Sequence, residues 1–329
     1  MKILVIGNKA RYDKHMPQTE LTKQVEMMFF PLGTSDETLL EQAMDADGLI
    51  ADAIAKVSGE LIQSMPNLKW IQSEGVGYNG IDLEAAMEKG IPVCNNKGIN
   101  SDAVAEQTIL LMLALLRDLP GGDEAVREGR QIEKKEEMML SGFLELSECS
   151  VGLIGFGDIG KITAGLLRAF GARVYYYEPI PMPKEVEEAY GVEYLEMDEL
   201  LARCNMVSLH VPVTPQTEGM INDGFLQKMG KDSWLINTAR GELVDNAALR
   251  RALEDGKIRG AGLDTVAPEP TQKDNVLVDL PESIRRKVIF SPHIAGVSSG
   301  TFRRAHENIW ENIRRVMESE ELLNRVDRK

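Results

Sequence analysis

Apolar residues in this chain come in short runs closed by glycine, proline or polar residues, and most runs are followed by a stretch with helical spacing. In the first hundred residues the runs at 2–6, 25–30, 48–51, 68–73 and 92–94 read as strands. A turn-rich stretch follows the first of them, and helices are expected at 36–44, 58–65 and 82–89. That alternation predicts one open α/β unit of mostly parallel strands. The stretch 103–116 is apolar almost all round and predicts a buried helix. A charged stretch to Glu137 then ends in Met138-Met139-Leu140, a solvated face closing on apolar residues, and is a candidate arm for pairing with a second copy. Six more strands are expected at 151–154, 173–177, 205–209, 233–237, 260–264 and 288–291, with helices between most of them, including 158–170, 197–203, 225–229 and 246–255. Six parallel strands with crossovers make the doubly wound dinucleotide fold. A last helix, 301–317, puts Phe302, Ala305, Ile309, Ile313 and Val316 on one face, which should pack back on another part of the chain.

The stretch Ser150-Val-Gly-Leu-Ile-Gly-Phe-Gly-Asp-Ile-Gly160 is a buried strand running through a tight turn into a helix. In such a turn Gly155 permits the bend, Gly157 lets the backbone approach a diphosphate, and Gly160 lets helix and strand pack closely. The diphosphate would sit on the free amides of Phe156, Gly157, Asp158 and Ile159 at the helix start. Glu178 closes the next strand 18 residues after Gly160, near the spacing of an acid that accepts ribose hydroxyls. A carboxylate there repels a 2′-phosphate, and the next cation is Lys184, so NAD rather than NADP is expected.

Composition narrows the partners. Of 329 residues 43% are hydrophobic and 27% charged, which is ordinary for a globular protein with two cores. The net charge of −15 argues against nucleic acid and against an anionic membrane surface. No apolar run is long enough for a signal core or a membrane span, so the cytoplasm is expected. Cys94, Cys149 and Cys204 show no ligand spacing, which predicts reduced core residues and no metal.

Ligands of a doubly wound sheet bind beyond the carboxyl ends of its strands, so the residues just past each strand converge there. They are Glu178, His210, Thr238-Ala239-Arg240, Asp264 with Glu269 nearby, and His293. A histidine sharing that edge with a carboxylate and an arginine is a candidate acid/base. Glu269, held between Pro268 and Pro270, would hydrogen-bond the imidazole, and the planar fork of Arg240 suits a carboxylate. His210, in Leu209-His210-Val211-Pro212, is expected to position the cofactor. In the first unit, Gly75-Val76-Gly77 follows a strand and exposes amides that suit a carboxylate or a plain turn.

Together, Val151 to Lys161, Asn237-Thr238-Ala239-Arg240-Gly241, Gly262-Leu263-Asp264 followed by Pro268-Glu269-Pro270, and Pro292-His293-Ile294-Ala295-Gly296 resemble the signatures of the D-isomer-specific 2-hydroxyacid dehydrogenases. The resemblance implies a Rossmann nucleotide domain, 103–294, inserted into a flavodoxin-like substrate domain made of 1–102 and 295–329. It implies Arg240, Glu269 and His293 as the catalytic set, and Val76 and Gly77 with Arg240 as the substrate's carboxylate site. Val211, Pro212, Thr217, Thr238, Ala239, Asp264, His293 and Gly296 would join Gly155 to Gly160, Glu178 and His210 around NAD. It also implies a homodimer. The sequence departs from the family's usual pattern at Asn79-Gly80, Gln131 and Glu148, none of them in the catalytic set.

The reaction expected is hydride transfer between nicotinamide and the carbonyl carbon of a small 2-oxo acid, with His293 as proton donor. Phosphoglycerate dehydrogenases of the family carry basic residues after the third strand and, in long forms, a regulatory domain. This chain reads Asp52-Ala53-Ile54-Ala55 there, with no such extension, so a phosphorylated substrate ranks second. The other alternative is a non-catalytic NAD-sensing scaffold.

Overall fold

The computed structural model describes residues 1–327. The chain forms two compact units, one of residues 1–100 and 297–329, the other of residues 101–296.

In the first unit five parallel strands, β1 (Lys2–Ile6), β2 (Glu26–Phe30), β3 (Gly48–Ala51), β4 (Trp70–Ser73) and β5 (Val93–Cys94), lie in the order β2-β1-β3-β4-β5. This is the flavodoxin-like order. β3 and β4 are buried along their whole length, as their unbroken apolar runs require. Leu4, Ile6, Leu49 and Ile71 pack on one face with the helices at Asp36–Ala43 and Gly59–Ser64. On the other face Ile3, Val5, Ile50 and Trp70 meet Ile309, Trp310 and Ile313 of the helix Ser299–Glu318. Ser298 caps that helix by accepting the Thr301 amide. The turn-rich stretch after β1 is a helix, Lys9–His15, capped by Asn8. It buries only Tyr12, so it carries no apolar stripe for the sequence to display.

In the second unit seven parallel strands take the order β12-β11-β10-β9-β6-β7-β8. They are β6 (Ser150–Ile154), β7 (Arg173–Tyr177), β8 (Glu193–Tyr194), β9 (Met206–Leu209), β10 (Trp234–Asn237), β11 (Gly260–Leu263) and β12 (Val288–Phe290). Six were expected; the seventh, β8, is a two-residue edge strand too short to leave a pattern. β6 pairs with both β7 and β9, so strand order reverses at β6, the kind of point beyond whose carboxyl end doubly wound sheets bind ligands. Apolar clusters fill both faces, one around Leu153, Phe156 and Tyr176, the other around Val207, Leu235 and Leu249. The helix Ser101–Leu116 buries Val104, Ala105, Thr108, Ile109, Leu111 and Met112, the last three in the cluster around Leu153. The charged stretch after it forms two helices, Leu119–Arg127 and Gln131–Ser141, which leave Ile132, Met139 and Leu140 exposed.

Candidate active site

The turn from β6 into the helix Asp158–Ala169 carries the three glycines of the candidate diphosphate site. Gly155 has φ +100°, and a β-carbon on it would stand 2.5 Å from the backbone oxygen of His210. A β-carbon on Gly160 would stand 2.5 Å from the Gly155 oxygen. These two glycines are therefore dictated by the chain itself. Gly157 is different: its φ is −75°, and a β-carbon there would meet nothing within 4 Å. No atom of the chain itself therefore requires a glycine at this position. Beyond it the first helical amides have no acceptor within their own helix. Glu178, at the end of β7, accepts the Phe156 amide at 2.5 Å and so pins the turn.

The other cofactor candidates line the same edge of the same sheet. His210 follows β9, with Nε2 3.0 Å from Ser208 Oγ, and burial lowers its pKa to about 4, leaving it neutral. Val211 and Pro212 come next, and Thr217 folds back to donate to Pro212 O at 2.7 Å. Thr238, buried after β10, shares a hydroxyl hydrogen bond of 2.8 Å with Thr108. Asn237 accepts the Ala239 amide at 3.0 Å and donates to Arg240 O at 2.8 Å, which fixes the loop that presents Arg240. Arg240 is exposed, and one guanidinium nitrogen donates to Ala239 O at 2.7 Å.

His293 follows β12 with φ +53°, a left-handed conformation that a non-glycine residue adopts only when its surroundings impose it. What imposes it is Asp264. The Asp264 backbone oxygen accepts the His293 amide at 2.8 Å. Its carboxylate, 2% exposed, accepts the Ser291 hydroxyl, the Ile294 amide at 3.1 Å and the Ala295 amide at 2.9 Å. Thus one buried carboxylate holds the residues on both sides of His293. The imidazole Nδ1 lies 2.9 Å from Glu269 Oε2, both side chains being about half exposed. Of the proposed catalytic set, His293 and Glu269 are in contact, whereas Arg240 bonds to its own loop. Asp264, Ser291 and Asn237 carry this arrangement, and Ser208 stands against His210. Asp264 is expected at the cofactor and Asn237 lies in a motif, but nothing in the sequence assigns them that bracing part.

In the first unit, β4 ends at Ser73 and leads into Gly75-Val76-Gly77. A β-carbon on Gly75 would stand 2.7 Å from the Ala53 β-carbon, so the loop lies tight against the segment after β3. Among the described residues no hydrogen bond takes up the amides of Val76 and Gly77. Glu74 is 6% exposed, and its Oε2 stands 2.9 Å from Arg11, which also pairs with Asp52. Burial outweighs Arg11 and raises the Glu74 carboxyl to about 7, with Asp52 adding to the rise. Burial likewise pushes Cys94 and Cys204 up to about 12 and Cys149 to about 11; no disulfide joins them, and none is a thiolate nucleophile. Among the described residues no cluster of side chains could hold a metal ion, and no helix is long and apolar enough to cross a membrane.

Residues 109–295 match the family described as D-isomer specific 2-hydroxyacid dehydrogenase, NAD binding domain. A glyoxylate reductase from Korarchaeum cryptofilum is 34% identical over 279 residues, covering 85% of this chain and 82% of that one. A D-3-phosphoglycerate dehydrogenase from Methanocaldococcus jannaschii is 36% identical over 314 residues; the match covers 95% of this chain but 58% of that protein. The crystal structure of D-lactate dehydrogenase from Aquifex aeolicus, complexed with NAD and lactic acid, is 28% identical with a TM-score of 0.82, covering all of both chains.

Proposed function

Because the chain belongs to the NAD-dependent D-isomer-specific 2-hydroxyacid dehydrogenases, we propose that it interconverts a small, unphosphorylated 2-oxo acid and its D-2-hydroxy acid. The observation that carries this reading is the His293–Glu269 pair, 2.9 Å apart at the edge of the sheet that ends in the glycine turn. When bound, NADH supplies the hydride that reduces the carbonyl carbon. With Nδ1 turned to Glu269, Nε2 of His293 is the nitrogen left to give its proton to the carbonyl oxygen. Glu269 orients the ring, and Asp264 holds the turn that presents it. The Val76 and Gly77 amides, with the free part of the Arg240 fork, take the substrate's carboxylate. Around the cofactor we assign Gly155 to Gly160 to the diphosphate and Glu178 to the ribose. His210, Val211, Pro212, Thr217, Thr238, Ala239, Asp264, His293 and Gly296 complete its wall.

The segment after β3 supports an unphosphorylated substrate. Asp52 and Glu74 already engage Arg11, and Ile54 beside them is 77% exposed and apolar. A phosphate near this segment would meet a cation already shared by two carboxylates. The reading includes a homodimer, supported by exposed Ile132, Met139 and Leu140 on the two charged helices, and a cytoplasmic setting, supported by three unpaired thiols.

The test is NADH oxidation across glyoxylate, hydroxypyruvate, pyruvate, 2-oxoisocaproate and phenylpyruvate, with 3-phosphohydroxypyruvate as the competing case. His293→Gln should lower kcat by roughly 10²–10⁴-fold while NADH still binds. An unchanged rate would remove the acid/base assignment. Tight NADH binding with no turnover on any 2-oxo acid would favour a scaffold.

A further inference from the structure

The two amides left open in the Gly75–Gly77 loop are aimed by bonds made to the carbonyls beside them. A peptide group is planar, so fixing its C=O fixes its N–H on the opposite side. The Gly75 oxygen accepts the backbone amide of Asn96 at 2.8 Å, and that same peptide plane carries the Val76 N–H. The Val76 oxygen accepts the side-chain amide of Asn95 at 2.8 Å, and that plane carries the Gly77 N–H. The neighbouring carbonyls are held as well: Glu74 O by the Asn96 side chain at 2.8 Å, Gly77 O by Ser73 Oγ at 2.5 Å.

Asn95 is in turn fixed from the C-terminal segment. Its amide donates to Asn324 O at 3.1 Å, and the Val326 amide donates to Val93 O at 2.8 Å. Arg325 bridges antiparallel to Cys94, and Asp327 accepts the Val93 amide at 3.2 Å. A second buried relay reaches the same place. The Leu323 amide donates to Asn312, Asn312 donates to Gln72 at 2.8 Å, and Gln72 donates to Ser73 O at 2.9 Å. Gln72 and Asn312 are both essentially unexposed.

We propose that Asn95 is a positioning residue for the substrate's carboxylate, and that residues 323–327 set it, so that 2-oxo acid affinity is tuned from the C-terminal segment independently of hydride transfer. This rests on the assignment of Val76 and Gly77 to the carboxylate. Three variants separate the two ideas: Asn95→Ala cuts the brace, Asp327→Ala loosens the segment without touching the loop, and Val76→Pro deletes one of the amides itself.

With the 2-oxo acid that turns over fastest, Asn95→Ala should raise its KM about tenfold, the worth of one lost hydrogen bond. Asp327→Ala should raise it about threefold. In both, kcat and the KM for NADH should stay within about twofold of the parent. A general structural role would lower kcat and NADH affinity together, and that result would overturn the inference. If Val76→Pro raises KM while Asn95→Ala does not, the brace is wrong and the carboxylate assignment stands. If Val76→Pro leaves KM unchanged, both fall. Should no 2-oxo acid turn over, calorimetric titration of the NADH-loaded protein with oxamate reads the same affinities, and failure of the parent to bind oxamate overturns the assignment. Should Asn95→Ala not fold, Asp327→Ala carries the test through the same KM-to-kcat split.

Discussion

Alanine at Gly155 and alanine at Gly157 should have opposite effects, because the chain itself requires the first glycine, while the proposed placement of the diphosphate requires the second. At Gly155 alanine must hold φ +100°, a strain of roughly 1–3 kcal/mol, and its β-carbon would press to 2.5 Å on the His210 carbonyl. That contact is backbone and cannot turn aside; overpacking of this kind costs a further roughly 1–3 kcal/mol. Gly155→Ala should therefore destabilise the second unit by about 2–6 kcal/mol. At Gly157 the backbone is ordinary and the space is empty, so the only cost is exchanging glycine for alanine at a helix N-cap, about 1 kcal/mol or less. The methyl group would nevertheless stand where a diphosphate must approach the backbone. Gly157→Ala should thus unfold in urea at nearly the parent concentration and bind NADH at least roughly tenfold more weakly, or about 1.4 kcal/mol. Urea unfolding and NADH fluorescence titration on the same two preparations decide it. A Gly157→Ala protein that keeps NADH affinity within twofold would refute the placement of the diphosphate, and an unperturbed Gly155→Ala protein would refute the steric argument.

Glu178 and His306 each lead to a further outcome. Glu178 stands at the end of β7 with one oxygen on the Phe156 amide, so NADH should be preferred over NADPH by at least roughly 100-fold, and Glu178→Gln should narrow the gap; equal turnover by the parent would contradict the assignment. His306 is 1% exposed with neither ring nitrogen hydrogen-bonded, and burial lowers its pKa to about 4, the charges of His15 and Arg11 adding to the effect. Since the unfolded chain takes up this proton near pH 6.5 and the folded chain does not until about 4, stability should fall as pH drops through that window, by about 3 kcal/mol for this group. Urea midpoints between pH 7.5 and 4 should fall less steeply in His306→Leu, and parallel slopes would rule the cause out.

The sequence was most informative where a residue type is forced by packing. β1, β3 and β7 occupy the residues their apolar runs marked, because each is sandwiched between layers and bounded by turn residues. Helices with little buried surface were not legible: Lys9–His15 buries only Tyr12, and Lys184–Tyr190 only Glu187. Leu119–Arg127 opens on Leu-Pro-Gly-Gly, which reads as a turn, yet Pro120 suits a first helical turn and Gly121 lies against the capping carboxylate of Asp118. The candidate site was readable in outline because topology gathers strand ends, whatever their separation along the chain. The bracing of His293 by Asp264 and of Val76 by Asn95 was not readable, since both act on backbone groups and any short polar side chain at a strand end looks alike in sequence.

The insertion of residues 101–296 into the first unit has a consequence during synthesis. Ile3, Val5, Ile50 and Trp70 leave the ribosome early, but the helix face that covers them, Ile309, Trp310 and Ile313, emerges more than two hundred residues later. At roughly 5–20 residues per second that is a wait of roughly ten to fifty seconds with one face of a hydrophobic sheet open to water. The second unit, continuous in sequence, can close its own core while the first is still waiting. Nascent chains arrested before residue 305 should therefore carry both a protease-resistant nucleotide unit and a sticky, chaperone-seeking first sheet.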